Sequence, residues 1–234
     1  MRQSIPILYE DDSIVVVDKP PGLLTVRGPS GSERALPEVL AEQGLRVRPV
    51  HRLDRDVSGA VLFARDAETR ARLEDVFRGR ALKKIYWAMA QGQVRPTRGA
   101  WSFPILEEGA VARVSAQGKP STTRYSTLRG FETATELEID LVTGRYNQIR
   151  LHASHAGFPL VGERKYARGK DALVRFRSRR VALHAWRLAL LHPRTGLPIE
   201  VEAPLPEDLR ELRAALDSPA PPPRSAKGPE RRSP

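Results

Sequence analysis

The chain has 234 residues, 40% of them hydrophobic, which suits one domain of ordinary to large size or two small subdomains sharing a core. No apolar run approaches the roughly 18–20 residues of a membrane-spanning helix, and the absence of cysteine excludes disulfides, thiolate metal sites and cysteine nucleophiles. A formal charge of +11 predicts a polyanionic partner, with nucleic acid first, although a GC-rich genome that inflates arginine and proline is the alternative explanation.

The first half of the chain mixes strand and helix patterns. Turn residues and hydrophobic periodicity set the boundaries of each element. In chain order we predict strands at Ile7–Glu10 and Ser13–Lys19, a short helix at Leu36–Gln43 capped by Gly44, a strand at Ala60–Phe63, a helix that starts at Asp66, packs through Leu73, Val76 and Phe77 and ends at Gly79, and a strand at Lys83–Gln91.

Strand patterns dominate the second half. Apolar and acidic residues alternate with period two from Thr135 to Leu141, as in a half-buried strand. We predict its partner at Thr122–Leu128, a helix from near Asn147 to Gly157, and a further strand at Val181–Leu191. Strands in adjacent runs with few helices between them indicate the α+β class with a largely antiparallel sheet.

The last 17 residues differ in composition from the rest. Residues 218–234 are rich in Ser, Pro, Arg and Lys, and their prolines oppose both helix and sheet. We therefore predict one folded unit over residues 1–217, followed by a disordered basic tail that either adds nonspecific RNA affinity or is passive.

The segment from His51 to Gly59, with the sequence HRLDRDVSG, is the first candidate for chemistry. Basic residues flank Asp54 on both sides and are expected to favour its ionised form, which can act as nucleophile or base. A solvated, self-neutralised loop is the alternative, and it is favoured when the segment is considered alone.

Two further segments carry candidate functional residues. Arg145 and Arg150 flank the predicted helix start after Gly144, and arginine suits carboxylate or phosphate. Lys84 precedes Tyr86 in a predicted strand, a combination that suits RNA as well as an ordinary core. His152 and His155 lack further ligands for a metal site, and no phosphate-binding glycine loop is present.

Together these segments resemble the RluA-type pseudouridine synthases. HRLDRDVSG is similar to the family signature, and further matches fall in the family order over roughly Ile7 to Pro204. They are the DKPPGL run from Asp18, the K-x-Y strand from Lys84, TGRYNQIR from Thr143, GFPLVG from Gly157, and LHA with HP near the end.

The resemblance implies the pseudouridine-synthase catalytic fold and isomerisation of uridine in ribosomal or transfer RNA, without cofactor or metal. Asp54 would be the nucleophile, attacking either C6 of the base or C1′ of the sugar. Tyr86 would stack on the base and assist proton removal, Arg150 would pair with Asp54, and Arg52 would fill the space left by the flipped uridine. The remaining RNA-contacting candidates are His51, Arg55, Lys84 and Arg145. A cytoplasmic monomer without an added RNA-binding domain is expected.

The chain departs from the family pattern in four places. Val57 stands where the family usually has Thr, Asn147 where it has His, Glu163 where Asp is commoner, and Ala167 where Gly is usual. These changes bear on loop packing and hydrogen bonding and remove no group assigned to chemistry. Two competing functions are an RNA-binding protein that keeps the fold without the reaction, and a DNA-binding module, for which no recognition helix stands out.

Overall fold

Twelve strands and four helices make up the described part of a computed structural model, which covers residues 4–28, 31, 33–78, 82–109, 111–167 and 178–217. The helices are α1 (Leu36–Glu42), α2 (Ala67–Arg78), α3 (Gln148–His155) and α4 (Glu207–Asp217). The strands are β1 (Ile7–Glu10), β2 (Ile14–Lys19), β3 (Arg48–Pro49), β4 (Ser58–Ala64), β5 (Lys83–Gln91), β6 (Arg98–Trp101), β7 (Ile105–Glu108), β8 (Val111–Val114), β9 (Thr123–Gly130), β10 (Ala134–Leu141), β11 (Leu183–Leu191) and β12 (Pro198–Glu202).

Ten of these strands form one mixed sheet in the order β1-β2-β4-β11-β5-β10-β9-β6, with β12 added to β11 and β3 to β4. All pairings in it are antiparallel except that of β4 with β11. Strands β7 and β8 form a separate hairpin. The expected α+β class with a mostly antiparallel sheet is confirmed.

Local chemistry explains where the first elements begin. The Asp11 carboxylate accepts hydrogen bonds from the backbone N–H groups of Ser13 (2.7 Å) and Ile14 (2.8 Å), which fixes the turn into β2. Asp66 caps α2 in the same way, accepting from the N–H of Thr69 at 2.7 Å. Every helix and strand predicted above is present, with boundaries shifted by a few residues.

The parallel junction between β4 and β11 depends on Gly59. This residue has φ +113, and a Cβ built on it would lie 2.3 Å from the carbonyl oxygen of Ala185. Only glycine therefore lets the two strands approach each other here. All seven residues of β4 are buried, which explains why its sequence is continuously apolar rather than alternating.

Several elements were not predicted from the sequence. They are the short strands β3, β6, β7, β8 and β12, and helix α4. The predicted helix end at Gly79 and the tail at residues 218–234 lie outside the described residues. Within the described part of the chain, no helix is long and apolar enough to cross a membrane.

Candidate active site

A cavity of about 1190 Å³ opens between the loop that precedes β4, strand β5, the end of β10 and the start of α3. Asp54, Tyr86 and Arg150 all line it, although they are far apart in the sequence. Its volume is somewhat above the usual range for small-molecule pockets, roughly 300–1,000 Å³, so it has room for a nucleoside and part of the adjacent nucleotides.

The backbone of the loop that carries Asp54 is fixed by buried side chains from β2 and the turn after it. The Lys19 ammonium, fully buried, donates to the carbonyl oxygens of Pro20 (2.9 Å), Leu23 (2.8 Å) and Arg55 (3.0 Å). Its three N–H donors are thus matched by three acceptors. Burial and the nearby positive charge of Arg180 lower the pKa of Lys19 to about 7.

Thr25 and Arg180 complete this backbone clamp, which we define as Lys19, Thr25 and Arg180. The Thr25 hydroxyl donates to the Leu53 carbonyl at 2.9 Å and accepts from the Leu53 N–H at 3.1 Å. Arg180 donates to the Asp56 carbonyl at 3.1 Å and forms a bidentate ion pair with Asp208 at 2.6 and 2.9 Å. Because Asp208 lies in the first turn of α4, that helix anchors the clamp.

The Asp54 carboxylate itself is held by side chains from the other side of the pocket. Arg150 on α3 donates from Nη1 to Asp54 Oδ2 at 3.3 Å. Its Nε and Nη2 form a bidentate pair with Glu163 at 2.7 and 3.0 Å. The Glu163 side chain is 0% exposed and also accepts from the backbone N–H groups of Lys165 and Tyr166. Arg150 is therefore oriented by a buried carboxylate before it reaches Asp54.

The environment shifts the pKa of these groups in opposite directions. Burial raises the pKa of Asp54 above its usual range, and the Arg150 charge and hydrogen bond oppose this. The pKa of Glu163 is lowered, because hydrogen bonds and charge from Arg150 outweigh burial. The positive charge of Arg52 favours the ionised form of Asp54, as expected, but desolvation has the larger effect on the Asp54 pKa.

Asn147 is the second side chain on the Asp54 carboxylate. With its amide nitrogen turned toward Asp54, it donates to Oδ1 at 2.8 Å and Oδ2 at 2.6 Å, and its oxygen accepts from the Tyr166 hydroxyl at 2.9 Å. The opposite orientation would place the amide oxygen against two carboxylate oxygens, so the hydrogen-bond network selects the first. We define Asn147, Arg150, Glu163 and Tyr166 as the carboxylate clamp.

Tyr86 lies on β5 with 7% of its surface exposed. Burial raises its pKa further above the normal value for tyrosine, and the negative charge of Asp54 adds to the shift. The phenol is therefore protonated at neutral pH, and its ring forms part of the pocket wall.

Four of the five predicted RNA-contacting side chains line the pocket, and three of these four are the basic residues Arg52, Lys84 and Arg145. Arg52 is exposed at its edge, with its guanidinium 5.6 Å from the Tyr146 ring centroid. Lys84 is half-buried, and its ammonium is 5.6 Å from the Phe77 ring centroid. Arg145 is half-buried, and its Nε has no hydrogen-bond partner within the part of the chain that the structure describes. All three present positive charge where a polyanion would enter.

The other two predicted RNA-contacting residues have protein partners. His51 lines the pocket, but its Nε2 accepts the Leu62 N–H at 2.9 Å, and burial lowers its pKa to about 3, so the ring is neutral. Arg55 is not among the pocket-lining residues. Its guanidinium donates to Gly22 O at 3.1 Å and to Glu33 at 3.0 Å.

Two buried histidines, His152 and His184, serve packing in this structure. His152 has partners on both ring nitrogens, Thr123 Oγ1 at 3.0 Å and the Phe103 carbonyl at 2.9 Å. His184 bridges the Ser58 hydroxyl at 2.9 Å and the Ala203 carbonyl at 3.1 Å. Each ring therefore ties strands and loops around the site together.

Comparison with known proteins places this site in a family. The family profile described as RNA pseudouridylate synthase matches residues 13–155. Ribosomal large subunit pseudouridine synthase C of Yersinia pestis is 37% identical over 220 residues, which cover 90% of this chain and 68% of the relative. The chain belongs to the RluA-type RNA pseudouridine synthases. It is therefore an isomerase, as the motifs predicted.

Other similarities agree with this assignment. Ribosomal large subunit pseudouridine synthase D of Nitrosomonas europaea is 35% identical over 232 residues, which cover 92% of this synthase and 66% of the relative. Two human solved structures share the fold. RNA pseudouridylate synthase domain containing 4 has TM-score 0.75 at 23% identity, covering 91% of this chain and 93% of that one. RNA pseudouridylate synthase domain containing 1 has TM-score 0.73 at 24% identity, covering 94% and 97%.

Residues that the sequence left without a role complete the site of this synthase. Lys19 stood in the DKPPGL motif, and its full burial shows that it supports the Asp54 loop. Asn147 and Glu163 stood out only as departures from the family pattern, and both lie in the carboxylate clamp. Tyr166 and Thr25 carried no signal, because their contacts join segments distant in the sequence.

Proposed function

We propose that this synthase isomerises uridine in large-subunit ribosomal RNA, with Asp54 as the nucleophile. The observation that carries the proposal is a largely buried carboxylate at the pocket, contacted by Arg150 at 3.3 Å and accessible to a ligand over 20% of its side-chain surface. The choice of RNA is supported by the similar proteins named as ribosomal large subunit pseudouridine synthases C and D.

The reaction needs one nucleophile and a confined base. Asp54 attacks the target nucleoside at C6 or at C1′, and both routes lead to the same product. The bond between N1 and C1′ breaks, the uracil rotates in the pocket, and a bond forms between C5 and C1′. The bond from Asp54 to C6 or C1′ then breaks or is displaced, which restores the free carboxylate. The proton lost from C5 and the one gained by N1 balance, so no cofactor or metal takes part.

Tyr86 is assigned as the surface against which the base stacks. Its protonated state in the free enzyme makes it a poor base before the reaction starts. One cause of that raised pKa is the Asp54 charge, and this charge disappears when Asp54 forms a covalent bond. Assistance in removing the C5 proton is therefore most favourable after the nucleophile has reacted.

Basic side chains around the pocket are assigned to RNA binding. The target base is stacked inside RNA, and flipping it out costs about a few kcal/mol. Phosphate contacts supply binding energy regardless of sequence, and Arg52, Lys84 and Arg145 are available at the pocket for them. Arg52, exposed beside Asp54 in the same loop, is placed to enter the space left by the flipped base.

The proposal is tested by incubating purified protein with large-subunit ribosomal RNA and mapping pseudouridine chemically, with Asp54→Ala and Asp54→Asn as variants. We expect site-specific conversion by the wild type, none by either variant, and RNA affinity within about threefold of wild type, because phosphate contacts remain. Conversion by Asp54→Asn would exclude Asp54 as the nucleophile. Conversion of transfer RNA alone would overturn the choice of substrate but leave the chemistry in place.

The expectations that do not concern the reaction or its substrate stay predictions. They are a cytoplasmic location, action as a monomer, independence from metal and cofactor, and one catalytic domain over residues 1–217 with a basic tail. Size measurement of the purified protein and a variant truncated after Asp217 would test the oligomeric state and the domain boundary.

A further inference from the structure

Asn147, the only asparagine in the chain, occupies an unusual backbone position. It immediately precedes α3 with φ 52 and ψ 26, in the left-handed region, and among the described residues it is the only one other than glycine with positive φ. Asparagine tolerates this region better than most residues. An asparagine before a helix usually caps it by accepting a backbone N–H, yet here its side chain makes no such bond. The amide is directed to Asp54 instead.

The amide nitrogen of Asn147 lies 2.8 and 2.6 Å from the two oxygens of the Asp54 carboxylate, so its N–H donation is shared between them. Arg150 adds a third donor on Oδ2. A single donor leaves a carboxylate free to rotate about its Cβ–Cγ bond, whereas donors from two directions define its plane. Donation to the charged form also favours ionisation, and a neutral amide does this without adding a second cation.

Tyr166 fixes the polarity of the amide. Its hydroxyl donates to Asn147 Oδ1 at 2.9 Å, and its ring lies 5.7 Å from the Arg150 guanidinium. The segment that contributes Glu163 to Arg150 therefore also contributes Tyr166 to Asn147. Two hydrogen-bonded connections therefore run from this segment to Asp54. The charged one passes from Glu163 through Arg150, and the neutral one passes from Tyr166 through Asn147.

We propose that Asn147, oriented by Tyr166, is a positioning residue that sets the plane of the Asp54 carboxylate and favours its ionised form. The proposal rests on the proposed role of Asp54 as the nucleophile. Groups that act electrostatically on Asp54 from the surrounding elements are Lys19 on β2, Arg52 in the same loop, Tyr86 on β5, Arg150 on α3 and Glu163 beyond α3. None of them is altered by changing Asn147.

Two substitutions separate the amide from the backbone. Asn147→Gly keeps the left-handed conformation and removes the donors. Asn147→Asp keeps the shape but sets a second carboxylate against Asp54, so that one of the pair must take up a proton. Tyr166→Phe is the matched control that keeps the ring and removes the hydroxyl. Single-turnover rates with saturating substrate RNA are measured from pH 5 to 9, together with RNA affinity.

We expect Asn147→Gly to lower the maximal rate about tenfold and Asn147→Asp at least about a hundredfold, with RNA affinity unchanged. The acidic limb of the rate profile should move to higher pH in both, because the ionised form of Asp54 has lost the amide donor and keeps only Arg150. Tyr166→Phe should give a smaller shift in the same direction. The carboxyl ¹³C shift of Asp54, titrated in wild type and Asn147→Gly, reports the same change without RNA.

A wild-type rate and pH profile in Asn147→Gly would overturn the inference, as would an unshifted Asp54 titration. If Asn147→Asp does not fold, the uncharged glycine variant decides the question. Activity in Asp54→Asn would instead indicate a failure of the proposed function. An inactive Asp54→Asn beside an unaltered Asn147→Gly would reject only the role of Asn147.

Discussion

The two clamps around Asp54 act on different parts of the same residue. The backbone clamp holds carbonyl and N–H groups of the loop through Lys19, Thr25 and Arg180. The carboxylate clamp holds the reactive oxygens through Arg150 and Asn147. The backbone clamp fixes the position of the loop backbone at Asp54, and the carboxylate clamp fixes the orientation of the Asp54 side chain. Preorganisation of the proposed nucleophile requires both, and removing a residue from one clamp should have a different effect from removing a residue from the other.

The largest effect is expected from Arg150→Met. This change leaves the buried Glu163 carboxylate without its charged partner, and breaking a buried pair from one side costs about 3–5 kcal/mol of unfolding free energy. It also removes a donor from Asp54, so activity should be lost as well. Urea unfolding and pseudouridine formation are the two measurements.

A second change separates these effects. Adding Glu163→Gln to Arg150→Met removes the unpaired charge while keeping an acceptor for the N–H groups of Lys165 and Tyr166. Stability should recover in large part and activity should not. Recovery of both stability and activity would mean that the Arg150–Glu163 pair serves the fold alone.

Lys19→Met is expected to lower the free energy of unfolding by a smaller amount, about 2–4 kcal/mol, because it leaves three buried carbonyl groups without their donor. The effect depends on pH, because the pKa of Lys19 is about 7 in the folded state and 10.5 in the reference state. Between these values the unfolded chain binds the extra proton, so the unfolding free energy of the wild type rises with pH. The advantage of wild type over Lys19→Met should therefore grow from pH 7 to 10. Urea unfolding across this range checks it, and a constant difference would contradict the assigned pKa.

The sequence was most informative where one pattern determined one element. Period-two alternation located β10, and its register with β5 brings Ile139 opposite Tyr86. The pairing of Arg150 with Asp54 came from the family resemblance, because two residues separated by 96 positions carry no local sign of contact. The net direction of the Asp54 pKa could not be predicted, because flanking charges are visible in a sequence and desolvation is not.

Some missed elements had a signal that was overlooked, and others had none. Leu209, Leu212 and Leu216 follow helical spacing, and all three pack in or against one cluster of the core under α4. Ile199 and Val201 alternate with exposed residues in β12. Strands β7 and β8 are four residues each and form a hairpin apart from the main sheet. Elements that short depend on tertiary contacts more than on their own sequence.

The smallest expected effects distinguish the two arginines that flank Asp54. Arg52 is exposed at the pocket with no carboxylate partner among the described residues, whereas Arg55 is paired with Glu33 on the exposed surface. Replacing Arg52 with Ala should weaken RNA binding and reduce the slope of log affinity against log salt by about one phosphate contact. Replacing Arg55 with Ala should change stability by less than about 1 kcal/mol, because the Arg55–Glu33 pair is solvated.

The comparison is made with one RNA over a range of salt concentrations, and thermal unfolding is recorded for both variants. If the two variants lose RNA affinity equally, Arg55 also contacts RNA, because an arginine in an exposed ion pair can exchange its carboxylate partner for a phosphate. A loss of affinity in the Arg52 variant alone would mean that, of two arginines close to Asp54 in the sequence, only the one facing the pocket takes part in binding. The backbone clamp would then explain the asymmetry, because it turns the loop so that one flank faces the cavity and the other faces Gly22 and Glu33.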